Sequence, residues 1–172
     1  MNPVLTPLFA RRSIRRFTDQ TIGDDCVRDL LAAAMAAPSA VAKDPWSFIV
    51  IRGDDTRAAI AALLPNGSML AKAPVAIIVC GDSDVAHGGE LSYLLQDCSA
   101  AIENLLLAAS MLSLGACWLG VHPRQERIDG IREILSIPER VIPVSAIALG
   151  HPAEDKPART RFRDEAVHYE CW

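Results

Sequence analysis

The sequence has few aromatic residues and lacks the short cysteine and histidine spacings that mark a metal site. Phenylalanine, tryptophan and tyrosine together make up 5% of the chain. The five cysteines and four histidines are scattered, with no HxxxH pair and no spacing that places two ligands on one face. We therefore predict no metal site and interpret the cysteines as reduced, mostly buried thiols.

Targeting and membrane-spanning patterns are also missing. The start has no basic region followed by an apolar one and a small-residue cleavage site, so we predict a cytoplasmic protein. The most apolar stretch, residues 101–121, is interrupted by Glu103 and Asn104 and is short for a membrane span. A buried central helix explains it better, so we expect no membrane partner.

Two sequence patterns of well-known enzyme classes are absent as well. No GxGxxG follows a predicted strand, so a separate dinucleotide-binding domain is not indicated. The sequence also lacks a recognisable nucleophilic triad.

What the chain does have is two groups of cations on an acidic protein of net charge −4. The arginine segment, residues 11–16, crowds four arginines around Ser13, and a second basic group lies near the end of the chain: Lys156, Arg159, Arg161 and Arg163. Like charges repel and need a counter-ion to stay close, which favours a phosphate ligand for both groups.

Simpler explanations remain open for several of these residues. The arginines could form a solvated basic helix end or a nucleic-acid patch, although the negative net charge and the lack of interleaved aromatics disfavour nucleic acid. Ser13 could serve as a helix cap. Trp46 is assigned to packing, and Asp97 is interpreted as a cap or interface residue and left out of catalysis.

Alternating helical and strand patterns predict one domain in three layers, of class α/β or α+β. Helices are predicted over 24–36, 55–64, about 93–114 and 123–135, strands over 46–52, 74–80, 116–121 and 144–150, and a turn over 65–67. Gly115 is expected to close the long helix. The residues after Gly150 have few core-forming runs and end in aromatics, so we expect them to pack on a partner subunit.

Five segments, in this order, resemble the FMN-dependent nitroreductases: RRSIRRF, AAPSAVAKDPWSFIVI, APVAIIV, LGACWLGV and ALGHPAEDKPARTRF. They cover nearly the whole chain, which resembles a short member without the large insertion that covers the substrate in bigger relatives. The resemblance implies an α+β, three-layer fold with a central mixed sheet flanked by helices. It implies one FMN-binding domain over 1–172, in which residues 150–172 form an arm that extends onto the partner subunit.

The resemblance also implies a homodimer with FMN at the subunit interface. Residues implied to bind FMN are Arg11, Arg12, Ser13 and Arg15 on the phosphate and ribityl chain, Pro38, Ser39 and Ala40 from the other subunit, Trp118, Leu119 and Gly120 beside the isoalloxazine, and Arg159 and Arg161 on the phosphate. Arg15 is also expected near the pyrimidine edge of the ring. The N–H groups of Leu119 and Gly120 are expected to point at N5 and O4.

The implied activity is an NAD(P)H oxidoreductase in which FMN N5, and no protein side chain, carries the hydride. NADH or NADPH would reduce the flavin, and a nitroaromatic, a quinone or a similar small conjugated acceptor would reoxidise it at the same site, in a ping-pong scheme. The alternatives are a flavin-binding or redox-sensing module without turnover, and a flavin-fragmenting or reductive dehalogenating relative. Ala42 and Asp44 replace the Asn and Gln of many relatives, which bears on the choice of substrate.

Overall fold

The computed structural model describes residues 2–172, which form four strands and six α-helices. The helices are α1 (Thr6–Ala10), α2 (Asp24–Met35), α3 (Asp54–Ala62), α4 (Ser68–Lys72), α5 (Leu91–Met111) and α6 (Gln125–Leu135). The strands are β1 (Trp46–Ile51), β2 (Val75–Asp82), β3 (Gly115–Gly120) and β4 (Val141–Gly150).

The strands form one sheet in the order β1-β2-β4-β3. All three strand pairs are antiparallel, and the parallel component is a single bridge between Ser13 and Ala116 at the β3 edge. The predicted α+β class is confirmed. The expectation of a mixed sheet was wrong for the four strands, which are all antiparallel. The only parallel pairing among the described residues is the Ser13–Ala116 bridge.

Helices cover both faces of the sheet, which confirms the three layers. In β2 the side chains alternate, with Val75, Ile77 and Val79 packing toward α2 and α5 while Ile78 and Cys80 pack toward α3, α4 and α6. Successive residues of a strand point to opposite faces, so a strand covered on both sides is apolar throughout. This is why the sequence shows an unbroken apolar run there.

The long helix α5 forms the centre of one layer. Its buried residues recur every three or four positions, as in Leu94, Cys98, Ile102 and Leu105, which is the spacing of one helical face. The helix ends at Met111, and Ser113 takes the left-handed conformation with φ 59°. Gly115, predicted to close the helix, is instead the first residue of β3. None of the helices described is long and apolar enough to cross a membrane.

The start of the arm runs antiparallel to the arginine segment. The N–H of Thr18 donates to the carbonyl of His151 at 2.9 Å, and the N–H of Ala153 donates to that of Arg16 at 2.9 Å. Further along, the N–H of Arg159 donates to the carbonyl of Phe9 at 3.1 Å. Beyond this pairing, all residues of 157–172 are exposed on the single chain.

Candidate functional site

The arginine segment is fixed to the sheet edge by its one buried residue, Ile14. Its N–H donates to the carbonyl of Ala116 at 3.0 Å, and its side chain is only 8% exposed. Gly115 makes room for it, because a Cβ at that position would lie 2.6 Å from Ile14 Cγ2. With Ile14 facing inward, the neighbouring arginines extend outward from the sheet.

The arm brings the second basic group to the first. Arg12 Nη1 donates to the carbonyl of Pro157, which holds the arm beside the arginine segment. The pKa of Arg159 is lowered, first by the charge of Arg12 and then by Arg161, by partial desolvation and by Arg11. The charges of Arg12, Arg161 and Arg11 therefore all act on Arg159, although Arg11 is also paired with Glu103 at 3.2 Å, and an anion bound beside Arg159 would relieve that repulsion.

A cavity of about 200 Å³ is lined by another residue of the arginine segment, Arg15. Its lining residues come from the arginine segment, from β3, from the turn after α3 and from α6: Arg15, Leu64, Pro65, Asn66, Cys117, Trp118, Leu119, Gly120 and Arg127. Arg127 Nη1 donates to the carbonyl of Gly120 at 2.9 Å, which fixes the end of β3. The structure thus brings Arg15 together with Trp118, Leu119 and Gly120, whereas Asn66 and Arg127 went unnoticed in the sequence.

Asn66 illustrates why these two residues were missed. The Pro-Asn-Gly pattern at 65–67 predicts a turn, and nothing in its spacing shows that the turn borders a cavity. Arg127 similarly belongs to the polar side of an amphipathic helix, where a charged residue is ordinary. Only the folded arrangement places both beside β3.

Cys117 lies in the same cavity but is not a nucleophile. Burial raises the pKa of its thiol, and the opposing charges of Arg15, Lys156 and Arg11 do not reverse that shift. A thiol with a raised pKa stays protonated and unreactive near neutral pH. Cys117 therefore acts as a small apolar side chain in the wall of the cavity.

The loop that contains Pro38, Ser39 and Ala40 is held in a strained conformation. Ser39 Oγ donates to Asp44 Oδ1 at 2.5 Å, and the N–H of Asp44 donates back to Ser39 Oγ at 2.9 Å. Val41 (φ 54°) and Asp44 (φ 48°) are left-handed, a region that a β-branched residue rarely adopts. Such strain persists where the surrounding structure fixes the backbone, often at a functional site.

Within one chain, this loop does not join the arginines. No hydrogen bond or ion pair within residues 2–172 links Pro38, Ser39 or Ala40 to the two basic groups. Instead, the N–H of Ala40 donates to Asp97 Oδ1 at 2.9 Å, across 57 positions of sequence. Asp97 is 5% exposed and lies inside α5. Asp97 was interpreted as a helix cap or an interface residue. The cap was wrong, because the carboxylate holds the loop instead of the end of its own helix, and the interface role stays a prediction.

The donor set suits a phosphorylated cofactor better than a metal. Guanidinium groups offer planar pairs of N–H donors that match phosphate oxygens, and several converge here. Among residues 2–172, no group of three or more histidine, cysteine, aspartate or glutamate side chains is arranged to hold a metal ion. An antiparallel sheet covered by helices, with two groups of cations meeting at its edge, is an arrangement suited to an anionic cofactor.

Comparison with known proteins identifies the family. The Nitroreductase family model matches residues 8–151. A Methanothermobacter thermautotrophicus protein named "Putative NADH dehydrogenase/NAD(P)H nitroreductase" is 46% identical over 169 residues, covering 98% of this chain and 87% of that protein. The chain belongs to the nitroreductase family.

Two further relatives identify the cofactor. A Desulfovibrio desulfuricans protein solved in complex with FMN is 36% identical, with a TM-score of 0.84, and the match covers 100% of this chain and 99% of that one. The FMN reductase (NADPH) of Bacillus subtilis is 27% identical over 186 residues, 99% of this chain and 74% of that protein. The protein is an FMN-dependent NAD(P)H oxidoreductase of this family, and the predicted cofactor is confirmed.

Proposed function

We propose that the protein is a homodimeric FMN-dependent NAD(P)H oxidoreductase that reduces nitroaromatics, quinones or similar small conjugated acceptors. Turnover proceeds by two half-reactions at one site, so the kinetics are ping-pong. The observation that carries the proposal is that the arm lies against the arginine segment, with Arg12 bonded to Pro157 and Arg159 bonded to Phe9, while Arg15 of the same segment lines a cavity together with β3.

Each part of the site has an assigned task in this proposal. Residues assigned to the FMN phosphate and ribityl chain are Arg11, Arg12, Ser13, Arg159 and Arg161. Arg15 and the stretch Trp118, Leu119 and Gly120 border the flavin ring, because they share one cavity. Pro38, Ser39 and Ala40 come from the second subunit, which explains why they lie apart from the arginines of their own chain.

The chain itself binds and orients the reactants. FMN, when bound, supplies the hydride-accepting chemistry, which no side chain here could supply. Arg15 places positive charge at the cavity, and positive charge stabilises any group that gains negative charge during reduction. Cys117 stays protonated, so it does not compete as a nucleophile.

A second copy of the chain would complete the site. The last hydrogen bond from the arm to its own domain, among the described residues, is that of Arg159 to Phe9, and the apolar side chains beyond it, Phe162, Tyr169 and Trp172, are 68%, 83% and 100% exposed. Apolar side chains grouped in solvent usually mark an interaction surface. In this proposal, residues 1–172 form one domain, and the arm of residues 150–172 first follows its own arginine segment and then extends onto the partner. The cytoplasmic location stays a prediction.

The direct test follows the flavin spectrum of the FMN-loaded protein. Under anaerobic conditions NADH or NADPH should bleach the flavin band, and nitrofurazone or menadione should restore it. Steady-state rates at several acceptor concentrations should give parallel double-reciprocal lines. Bound FMN that neither nicotinamide reduces would favour the flavin-binding module without turnover. Intersecting lines would reject the two-step scheme.

A further inference from the structure

Glu154 is the one acidic side chain that contacts the arginine segment from the arm. Its Oε1 accepts the N–H of Arg15 at 2.5 Å and the N–H of Arg16 at 3.3 Å. The same oxygen lies 3.0 Å from Lys156 Nζ, and Oε2 lies 3.8 Å from Arg16 Nε. The Glu154 side chain is 15% exposed, whereas the side chain of Arg16 is 73% exposed.

Lys156, two residues after Glu154 on the arm, also contacts the arginine segment. Its Nζ donates to the carbonyl of Ser13 at 2.7 Å. With Ala153 donating to the carbonyl of Arg16 and Ile14 donating to Ala116, the backbone from residue 13 to residue 16 is held by four sets of hydrogen bonds. The guanidinium groups of Arg12 and Arg15 are thereby oriented by a backbone that is already fixed.

We propose that Glu154 is a positioning residue that fixes the arginine segment in the conformation that binds the FMN phosphate. This inference rests on the proposed function, because it takes the arginine segment as part of the phosphate site. The N–H of Arg15 is the main cause that lowers the pKa of Glu154, so the carboxylate is ionised at neutral pH. The charged side chains that contact it are those of Lys156 and Arg16.

The positioning role and the charge of Glu154 predict opposite effects on FMN affinity when the carboxylate is removed. A negative charge beside a phosphate site repels the ligand, so removing it should tighten binding of FMN. If the carboxylate orients the arginines, removing it should weaken binding instead, because misplaced guanidinium groups lose paired contacts to the phosphate. The sign of the change separates the two accounts.

The experiment measures the Kd of FMN and of riboflavin, which lacks the phosphate, by quenching of flavin fluorescence. The variants are Glu154→Gln, Glu154→Asp and the control Asp155→Asn, which removes an exposed neighbouring charge that makes no hydrogen bond or ion pair within residues 2–172. We expect Glu154→Gln to raise the Kd of FMN about tenfold, the scale of one charge-assisted hydrogen bond, with a much smaller change for riboflavin. Asp155→Asn should leave the Kd of FMN unchanged or slightly lower.

Each outcome decides the matter. Unchanged or tighter FMN binding by Glu154→Gln overturns the positioning role, as does an equal loss for FMN and riboflavin, which would indicate general damage to the fold. If Glu154→Gln does not fold, Glu154→Asp, which keeps the charge but shortens the reach, should still show a selective loss for FMN. A wild-type protein that binds riboflavin as tightly as FMN would instead refute the proposed phosphate site itself, and the positioning role with it.

Discussion

Replacing Gly115 with alanine should test how the sheet edge supports the arginine segment. The new Cβ would lie 2.6 Å from Ile14 Cγ2 and 2.8 Å from Ile14 Cβ. Carbon atoms normally approach to about 3.5–4.0 Å, so Ile14 must move by roughly 1 Å. Ile14 lies between Arg12 and Arg15, and its displacement would carry the arginines with it.

The magnitude follows from the cost of overpacking. Extra atoms in a filled site typically cost about 1–3 kcal/mol, and for a domain of this size each kcal/mol lowers Tm by roughly 2–4 °C. We therefore expect Gly115→Ala to lower Tm by roughly 2–12 °C. The Kd of FMN should rise on the order of tenfold, because the phosphate ligands are displaced from their paired geometry.

Thermal unfolding of the apoprotein and titration with FMN measure the two effects separately. Gly23→Ala is the steric control, because a Cβ at Gly23 meets nothing within 4 Å. Gly23 is the N-cap of α2, so this variant should lower Tm slightly but leave the Kd of FMN unchanged. A Gly115→Ala protein with a normal Tm would show that Ile14 adapts without cost. A lowered Tm with unchanged FMN affinity would refute the link between Ile14 and the cofactor.

Three further predictions concern stability. Val41→Gly should raise the free energy of unfolding by up to about 1 kcal/mol, because the relief of left-handed strain at φ 54° exceeds the entropy cost of ordering a glycine. A lower free energy of unfolding in chemical denaturation would contradict this. Leu105→Ala, at a fully buried position, should lower the free energy of unfolding by about 2–5 kcal/mol. Leu112→Ala, at a position 48% exposed, should lower it by less than about 0.5 kcal/mol, and equal losses would refute the assigned core. Burial raises the pKa of Cys80 and Cys98 to about 12, so unfolding releases thiol protons above pH 9 and stability falls as pH rises from 9 toward 12. Replacing both cysteines with alanine should make the free energy of unfolding, measured with urea, fall less steeply between pH 9 and 12. An unchanged slope would contradict this prediction.

The regular elements were predictable where the local pattern is strong. The run of β-branched residues predicts β2, and the helical spacing predicts α5, because both elements bury long stretches against the sheet. The end of α5 was misplaced, since Ser113 and not a glycine adopts the left-handed turn. Helices α1 and α4 were missed because five residues are too few to show a helical period.

The charged residues of the site were predictable from the sequence, but the contacts that hold them in place were not. Repulsion between nearby arginines indicates an anionic ligand from the sequence alone. The contacts that hold the arginine segment join residues about 140 positions apart, such as Glu154 and Arg15. No local sequence pattern predicts such a pair. Asp97 and Ala40 are a similar case, because an aspartate in a helix gives no sign of the loop it binds.

The central claim is that two distant basic groups of one chain bind one phosphate, and one set of titrations tests it most directly. The Kd values of FMN and riboflavin are compared for the wild type, Arg12→Ala, Arg159→Ala and the control Arg163→Ala. Arg163 belongs to the same arm but is paired with Glu165 at 3.7 Å and is not among the charges that shift Arg159. Loss of the preference for FMN in Arg12→Ala and Arg159→Ala, but not in Arg163→Ala, is the predicted result. Full preference retained by either of the first two variants would contradict the claim.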